Sequence, residues 1–337
     1  MHHRLTNHYK KTKMKPFKFE PYLKETIWGG KQIAEYKGIK ACSENIGESW
    51  EVTGVKGHES IVAEGGTSCE DKGLTISELI QKYREKLLGE KVYERFGTDF
   101  PLLIKFIDSR QDLSVQVHPD DKLAKERHGC QGKTEMWYII NSKPGAKIYA
   151  GLNKHITPED YVRMTDKEII DGHSPLMDVI AAHDSHVGDI FFLPAGRLHS
   201  IGAGNLLVEI QQTSDITYRV YDFGRRDANG NTRELHIDLA KDAIDYNVYT
   251  DCRSTYDKDA QIAELVNCKY FDVRKLTIDK KASIDFKIQS FVIAICLKGT
   301  AEINGTCIRQ GETILVPADN NILNITGTVE LLTAFVP

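Results

Sequence analysis

Short apolar stretches of strand length, broken by turn residues, recur along most of this 337-residue chain. That spacing predicts a mainly β protein built as a sandwich or barrel. Residues 102–107, 113–118, 135–140, 190–193 and 206–212 are the clearest examples. Helical spacing is confined to insertions. Ile76, Leu79, Ile80, Tyr83, Leu87 and Leu88 share a helical period that stops before Gly89. A second helix is expected from Thr157, which can cap it, with Pro158 in the first helical position and Asp160 completing a T-x-x-D box. A third is expected over 237–246. The hydrophilic stretch 250–261 reads as a linker, and beyond it 270–278, 291–297 and 313–317 read as strands, with Asn304-Gly305 as a hairpin turn.

An internal echo separates two units. Gly188 to Ala195 and Gly311 to Ala318 share the frame G-x5-P-A, as expected if one β unit occurs twice. In the first copy His199 stands five residues after Pro194; at that offset from Pro317 the second copy has Ile322. The expected organisation is a domain at 14–250 that carries the chemistry and its helical insertions, and a smaller β domain at 251–337 without metal ligands. Residues 1–13, basic and polar, are expected to form a disordered extension.

Charge and composition narrow the function. With 44 Lys and Arg against 48 Asp and Glu, the net charge is -4, which argues against a nucleic-acid or anionic-membrane partner. At 41% hydrophobic and 27% charged residues the chain fits an ordinary soluble protein. No run approaches the roughly 18 to 20 apolar residues of a membrane span. Seven cysteines without a C-x-x-C pair read as reduced thiols, so a cytoplasmic location is expected.

Three segments carry chemistry. In LSVQVHPD, from Leu113, period 2 sets Ser114, Gln116 and His118 on one strand face, which points either to solvent or into a functional cavity. KTEMWYII, from Lys133, puts Glu135 at the head of a strongly apolar strand, where burying it unpaired is costly. PAGRLH, from Pro194, brings His199 into a tight loop beyond a strand. A lone Glu usually sits at a strand edge, and a lone His is usually a hydrogen-bonded surface residue. Together, two imidazoles, one carboxylate and the Gln116 amide oxygen form a hard-to-borderline N/O set suited to Zn²⁺, with Fe²⁺ or Mn²⁺ as alternatives.

These residues carry a family resemblance. The frame G-x5-P-x-G-x2-H from Gly188 to His199 resembles the second cupin motif, with the asparagine expected four residues later displaced to Asn205. The ordered runs QVHPDD, GKTEMWYII, LPAGRLHSIGAG and VEIQQTSDITYRVYDFGR resemble the type I phosphomannose isomerases, the mannose-6-phosphate isomerases of the short bacterial, two-cupin form. The similarity begins near Phe17 and includes IWGG at 27–30 and GESWEVT at 47–53. It implies two jelly-roll cupin barrels, one zinc ion per chain and a sugar-phosphate substrate. By motif, His118, Glu135 and His199 resemble the zinc ligands, and Gln116 a fourth position that is less consistently used. Arg219 resembles the active-site arginine, Lys133 and Glu209 match polar residues of the same pocket, and Ser114 a position linked to phosphate recognition. Lys133 and Arg219 are the other candidate substrate contacts.

The implied reaction interconverts mannose 6-phosphate and fructose 6-phosphate through a metal-stabilised enediolate. Such an aldose–ketose isomerisation needs a Lewis acid, a cation near the developing charge and a base. Arg219 remains cationic and offers a fork of donors. As base, Lys133 and Glu209 stand level, with a water on the metal as a third candidate. Lys133 must first be desolvated, and Glu209, between Val208 and Ile210, fits a buried ion pair equally well. Asp215 and Asp222 are expected to fix Arg219 or a ligand histidine, and Arg225 and Arg226 to form a solvated turn. Trp28, Glu48 and Trp50 fit either a pocket wall or core packing. The competing readings are another metal cupin enzyme and a non-catalytic sugar-binding or regulatory two-cupin protein. The oligomeric state is left open between monomer and weak dimer.

Overall fold

The computed structural model describes residues 13–40, 43–66, 69–165, 174–227 and 229–337. The extension expected at 1–13 therefore lies, apart from Lys13, outside the described residues. In chain order the strands of the first two-thirds are β1 (Lys15–Phe19), β2 (Tyr22–Gly30), β3 (Ile46–Val52), β4 (Val62–Gly66), β5 (Leu102–Ser109), β6 (Val115–Val117) and β7 (Glu135–Ser142). There follow β8 (Lys147–Leu152), β9 (Ile180–Asp184), β10 (Ile190–Leu193), β11 (His199–Ile201), β12 (Asn205–Gln212), β13 (Tyr218–Tyr221) and β14 (Arg253–Ser254). The last third adds β15 (Ile262–Asn267), β16 (Asp272–Ile278), β17 (Lys281–Ile284), β18 (Val292–Ile303), β19 (Thr306–Arg309), β20 (Thr313–Val316) and β21 (Leu323–Phe335).

Two antiparallel sheets wall the first barrel, in the orders β14-β10-β7-β12-β5-β3-β2 and β13-β6-β11-β8-β9. Their inner faces meet through Ile107, Trp137, Phe191 and Leu207 on one side and Leu113, Ile148 and Ile201 on the other. The second barrel is a nine-stranded sheet, β15-β16-β21-β18-β20-β1-β4, with β17 on β21 and β19 on β18. The fold is thus mainly β, two cupin barrels with few helices. β1 and β4 come from the start of the chain, yet Phe17 pairs with Leu315 in the second barrel's sheet. We propose that the division near residue 250 holds for the two barrel bodies, with β1, β4 and β14 crossing it.

β5, β7 and β12 are buried on both faces. Ile104, Phe106, Met136, Val208 and Ile210 point outward and pack on Phe291, Ile293 and Leu332 of the second barrel. Their neighbours in sequence face the first barrel's interior. The second barrel's own interior is aliphatic, filled by residues such as Val292, Ala294, Ile303, Ile314 and Leu331. Its hairpin turn is as expected: Asn304 and Gly305 both have positive φ, 49° and 82°, between the paired residues Ile303 and Thr306, the geometry that favours Asn-Gly.

The helical insertions were partly misjudged. The period over 76–88 is split: one helix spans Ile76–Tyr83 and a second Glu85–Leu88, because Arg84 adopts a positive φ of 49° between them. A further helix, Glu90–Phe96, follows Gly89. The capping box at Thr157 is present, with reciprocal bonds to Asp160 of 3.1 and 2.9 Å. The helix expected over 237–246 ends at Ala243, and the expected linker contains β14, which pairs with β10. Among the described residues no helix is long and apolar enough to cross a membrane.

A short helix at Gln32–Lys37 couples the barrels. Its Tyr36 hydroxyl donates to the Leu297 carbonyl at 2.5 Å. Lys37, buried over the Phe106 ring, donates to Glu51 at 2.6 Å and to the Gly311 carbonyl at 2.7 Å. Removing one member of such a pair strands a buried charge, which costs about 3–5 kcal/mol. In urea unfolding, Lys37→Met is expected to lose stability of that order, and Lys37→Met/Glu51→Met to regain most of it.

Candidate metal centre

Three ligand candidates converge from both walls of the first barrel. His118 follows β6, His199 opens β11, and Glu135 opens β7 on the facing sheet. Local structure fixes each. Asp120, two residues after His118, caps the helix Asp121–His128 through the Leu123 amide at 2.8 Å. The His199 loop turns at Gly196, with φ 90°, and there the Gly196 amide donates to the His118 carbonyl at 2.9 Å. Thr134, beside Glu135, accepts from the Ala195 amide at 3.2 Å. The loop carrying one ligand is thus tied to both of the others.

One ligand atom from each residue lies within 4.8 Å of the others, and all three residues are buried. Nδ1 of His118 lies 2.9 Å from the Ile216 carbonyl and Nδ1 of His199 lies 2.8 Å from the Arg197 carbonyl. A carbonyl only accepts, so each Nδ1 carries the proton and each Nε2 turns a lone pair to the centre. The contacts from Nε2 to Glu135, 3.4 and 3.2 Å, would be ion pairs only with charged imidazoles. Burial and then Lys133 push His118 down to about 3, and burial likewise lowers His199. The rings are neutral. Burial would raise the Glu135 carboxyl, but Lys133, whose Nζ lies 3.2 Å away, holds it well below the usual range. Both Nε2 atoms and both Glu135 oxygens lack hydrogen-bond partners. Four unpartnered acceptors facing one another fit a cation, and two imidazole nitrogens with one carboxylate are a donor set for a divalent transition metal.

A cavity of about 500 Å³ opens beside this centre. Ser114, Gln116, Lys133, Glu209 and Arg219 all line it. The alternation in LSVQVHPD holds, since Val115 and Val117 pack into the apolar cluster behind the strand. Gln116 pairs with His199 on one side and Arg219 on the other.

The surroundings of several residues bear on the roles expected of them. Glu209 accepts from Trp137 Nε1 at 2.9 Å and meets Lys105 at 3.2 Å, so both of its oxygens are engaged. Asp222 holds Arg225 and Arg233 rather than Arg219 or a histidine. Asp215 is exposed at the cavity rim, and the two candidate ligand histidines are oriented by backbone carbonyls. Arg225 is largely buried against Asp222 and the Asp112 carbonyl, so it is not part of a solvated turn. Asn205 is structural, bonded to Ser185 and to the Lys147 and Gly202 carbonyls. Trp28 and Glu48 do line the cavity, while Trp50 is fully buried.

Sequence reasoning missed Lys105. Trp137, Glu209, Lys105 and Trp50 stand in direct register across four adjacent strands, which forms one polar row on the inner face. Lys105 lies 3.4 Å from Glu48 and 4.9 Å from the Trp50 ring centre. Burial opposes its charge, but Glu48 and Glu209 outweigh it and hold the ammonium above the usual lysine range. Burial likewise opposes the Glu48 charge, yet Lys105 and Lys24 bring its carboxyl down to about 2. In sequence Lys105 is one charge inside the apolar run LLIKFI; its pairing partners become visible only with the strand register.

Comparison with known proteins matches residues 16–144 to the family described as phosphomannose isomerase type I, catalytic domain, and residues 261–336 to mannose-6-phosphate isomerase, cupin domain. The mannose-6-phosphate isomerase ManA of Bacillus subtilis is 33% identical over 94% of this chain and 98% of its own length. The mannose-6-phosphate isomerase of Streptococcus mutans is 30% identical over 94% and 97%. A crystal structure of the B. subtilis mannose 6-phosphate isomerase superposes with a TM-score of 0.81 at 32% identity, covering 95% of this chain and 99% of that one. The His118, Glu135 and His199 geometry carries a direct prediction. In calorimetric titration with Zn²⁺, His199→Ala is expected to weaken binding by more than the roughly 100-fold that loss of an outer partner costs, with the second barrel still folded.

Proposed function

The chain belongs to the type I mannose-6-phosphate isomerases and is an aldose–ketose isomerase; on that premise we propose that it converts mannose 6-phosphate to fructose 6-phosphate and back with one zinc ion held by His118, Glu135 and His199. The observation that carries this reading is the set of unpartnered lone pairs on those three buried residues, beside a cavity lined by Arg219 and Lys133. Gln116, flanked by His199 and Arg219, is assigned as a further oxygen donor to the ion. When bound, Zn²⁺ supplies Lewis acidity toward the sugar carbonyl and positive charge beside the neighbouring oxygen.

The chain's own residues do the rest. Isomerisation carries a hydrogen between C1 and C2 while the two oxygens exchange carbonyl and hydroxyl character, and an enediolate lies between. Arg219 meets that negative charge with its guanidinium: among the described residues its Nε has no partner and only Nη1 is engaged, by the Glu234 carbonyl at 2.9 Å. Lys133 is assigned the proton transfer, because Glu209 is committed to Trp137 and Lys105 while the Lys133 ammonium, among the described residues, pairs with Glu135 alone. Glu209 is then a positioning group for Lys105. Ser114 offers its hydroxyl to the substrate from the same strand face as Gln116. A cytosolic location is supported by the free thiols of all six described cysteines.

Wild-type protein is expected to form mannose 6-phosphate from fructose 6-phosphate in a coupled assay. Lys133→Met is expected to lose about 10²–10⁴-fold in kcat, together with solvent-hydrogen exchange at the transferred position, while keeping its metal. Glu209→Gln should lose far less; the opposite ranking would assign the base to Glu209.

A further inference from the structure

Positive charge is unevenly balanced around the cavity. On the metal side each lysine has a carboxylate partner: Lys133 with Glu135, Lys105 with Glu48 and Glu209, Lys24 with Glu48 at 3.6 Å. At the other end three guanidiniums, Arg219, Arg225 and Arg233, surround the single buried carboxylate of Asp222. Glu234 is the next acid, but its carboxylate is 82% exposed and turned toward His236. The cluster therefore keeps a surplus of about two positive charges, the charge of a phosphate monoester.

The guanidiniums are not equivalent. Arg225 spends its donors inside the protein, on Asp222 and the Asp112 carbonyl, and does not line the cavity. Arg233 lines it. Its Nε donates to Asp222 at 2.7 Å and Nη2 also meets Asp222, which fixes the plane of the fork, while Nη1 has no protein partner among the described residues. Arg233 is also the strongest charge acting on Arg219, after burial, and pulls it below the usual arginine range. Two cations held side by side at a cavity wall repel unless an anion sits between them.

Strand register gives the direction. Along β13, Arg219 lies opposite Gln116 and Tyr221 opposite Val115, so Asp222 and the Arg233 fork it holds lie toward the Ser114 end of β6. His118 stands at the other end. A hexose 6-phosphate carries its phosphoryl group at the far end of its carbon chain from the reacting carbonyl, as this arrangement requires.

We propose that Arg233, oriented by Asp222, grips the substrate's phosphate and sets the preference for phosphorylated sugars, leaving Arg219 to the reacting end. The inference rests on the isomerase reading above. The test compares wild type, Arg233→Met and Arg233→Lys for KM and kcat with fructose 6-phosphate, for competitive inhibition by inorganic phosphate, and for phosphate binding by calorimetry on the zinc-loaded proteins. Arg225 remains to pair Asp222 in both variants. Arg233→Met is expected to raise KM and the phosphate inhibition constant together by about 10- to 100-fold, the loss of one charge-assisted contact, with the fall in kcat/KM carried by KM and zinc content unchanged. Arg233→Lys should recover part of the loss. Unchanged KM and phosphate affinity, or a raised KM with phosphate affinity unchanged, would overturn the assignment. If wild type turned over no sugar phosphate, the isomerase reading would fall, and the calorimetric comparison would still decide the phosphate subsite.

Discussion

The central sheet of the first barrel is covered on both faces, and the rest of the structure follows from what that does to charge. Its outer face packs on the second barrel through residues such as Phe106 and Val208, and its inner face closes the first barrel. A charged side chain on this sheet has no water to fall back on and is stable only against a fixed partner. Lys105 and Glu209 meet that condition by pairing across adjacent strands, with Trp50 and Trp137 at the ends of the row. Glu135, at the head of β7, has Lys133 and two neutral imidazoles for company, and both of its oxygens remain without a hydrogen bond. That deficit makes the site a candidate for a cation.

The same confinement explains why the second barrel matters to a site it does not enter. Its interior is aliphatic, and what it contributes to the site is packing support. It covers the outer face of the central sheet and grips the helix Gln32–Lys37, which directly follows the cavity-lining residue Trp28 and the two glycines after it. Rigid support of this kind keeps the ligands and the polar row in place before any substrate arrives, which is where electrostatic catalysis gains most.

Much of this was legible in the sequence, for physical reasons. Period 2 put Ser114, Gln116 and His118 on one face because strand geometry leaves no alternative, and a carboxylate heading the run EMWYII announces a partner. The G-x5-P-A frame marked the second barrel. What stayed hidden depends on register and long-range pairing. Lys105 sits in an apolar run with its partners dozens of residues away; the Asp222 clamp closes on Arg225 and Arg233 through a loop conformation that charge spacing does not encode; the break at Arg84 is a backbone conformation that helical periodicity does not encode. Arg233 lay in a stretch whose charges look like those of any solvated loop.

The most direct test of the account couples metal occupancy to turnover. Chelated protein is titrated with Zn²⁺ while fructose 6-phosphate isomerisation and bound metal are measured on the same samples. Activity is expected to be absent at the start and to rise in proportion to occupancy, with a break at one ion per chain. Turnover that persists without bound metal, or a metal that binds at His118, Glu135 and His199 without restoring turnover, would contradict it.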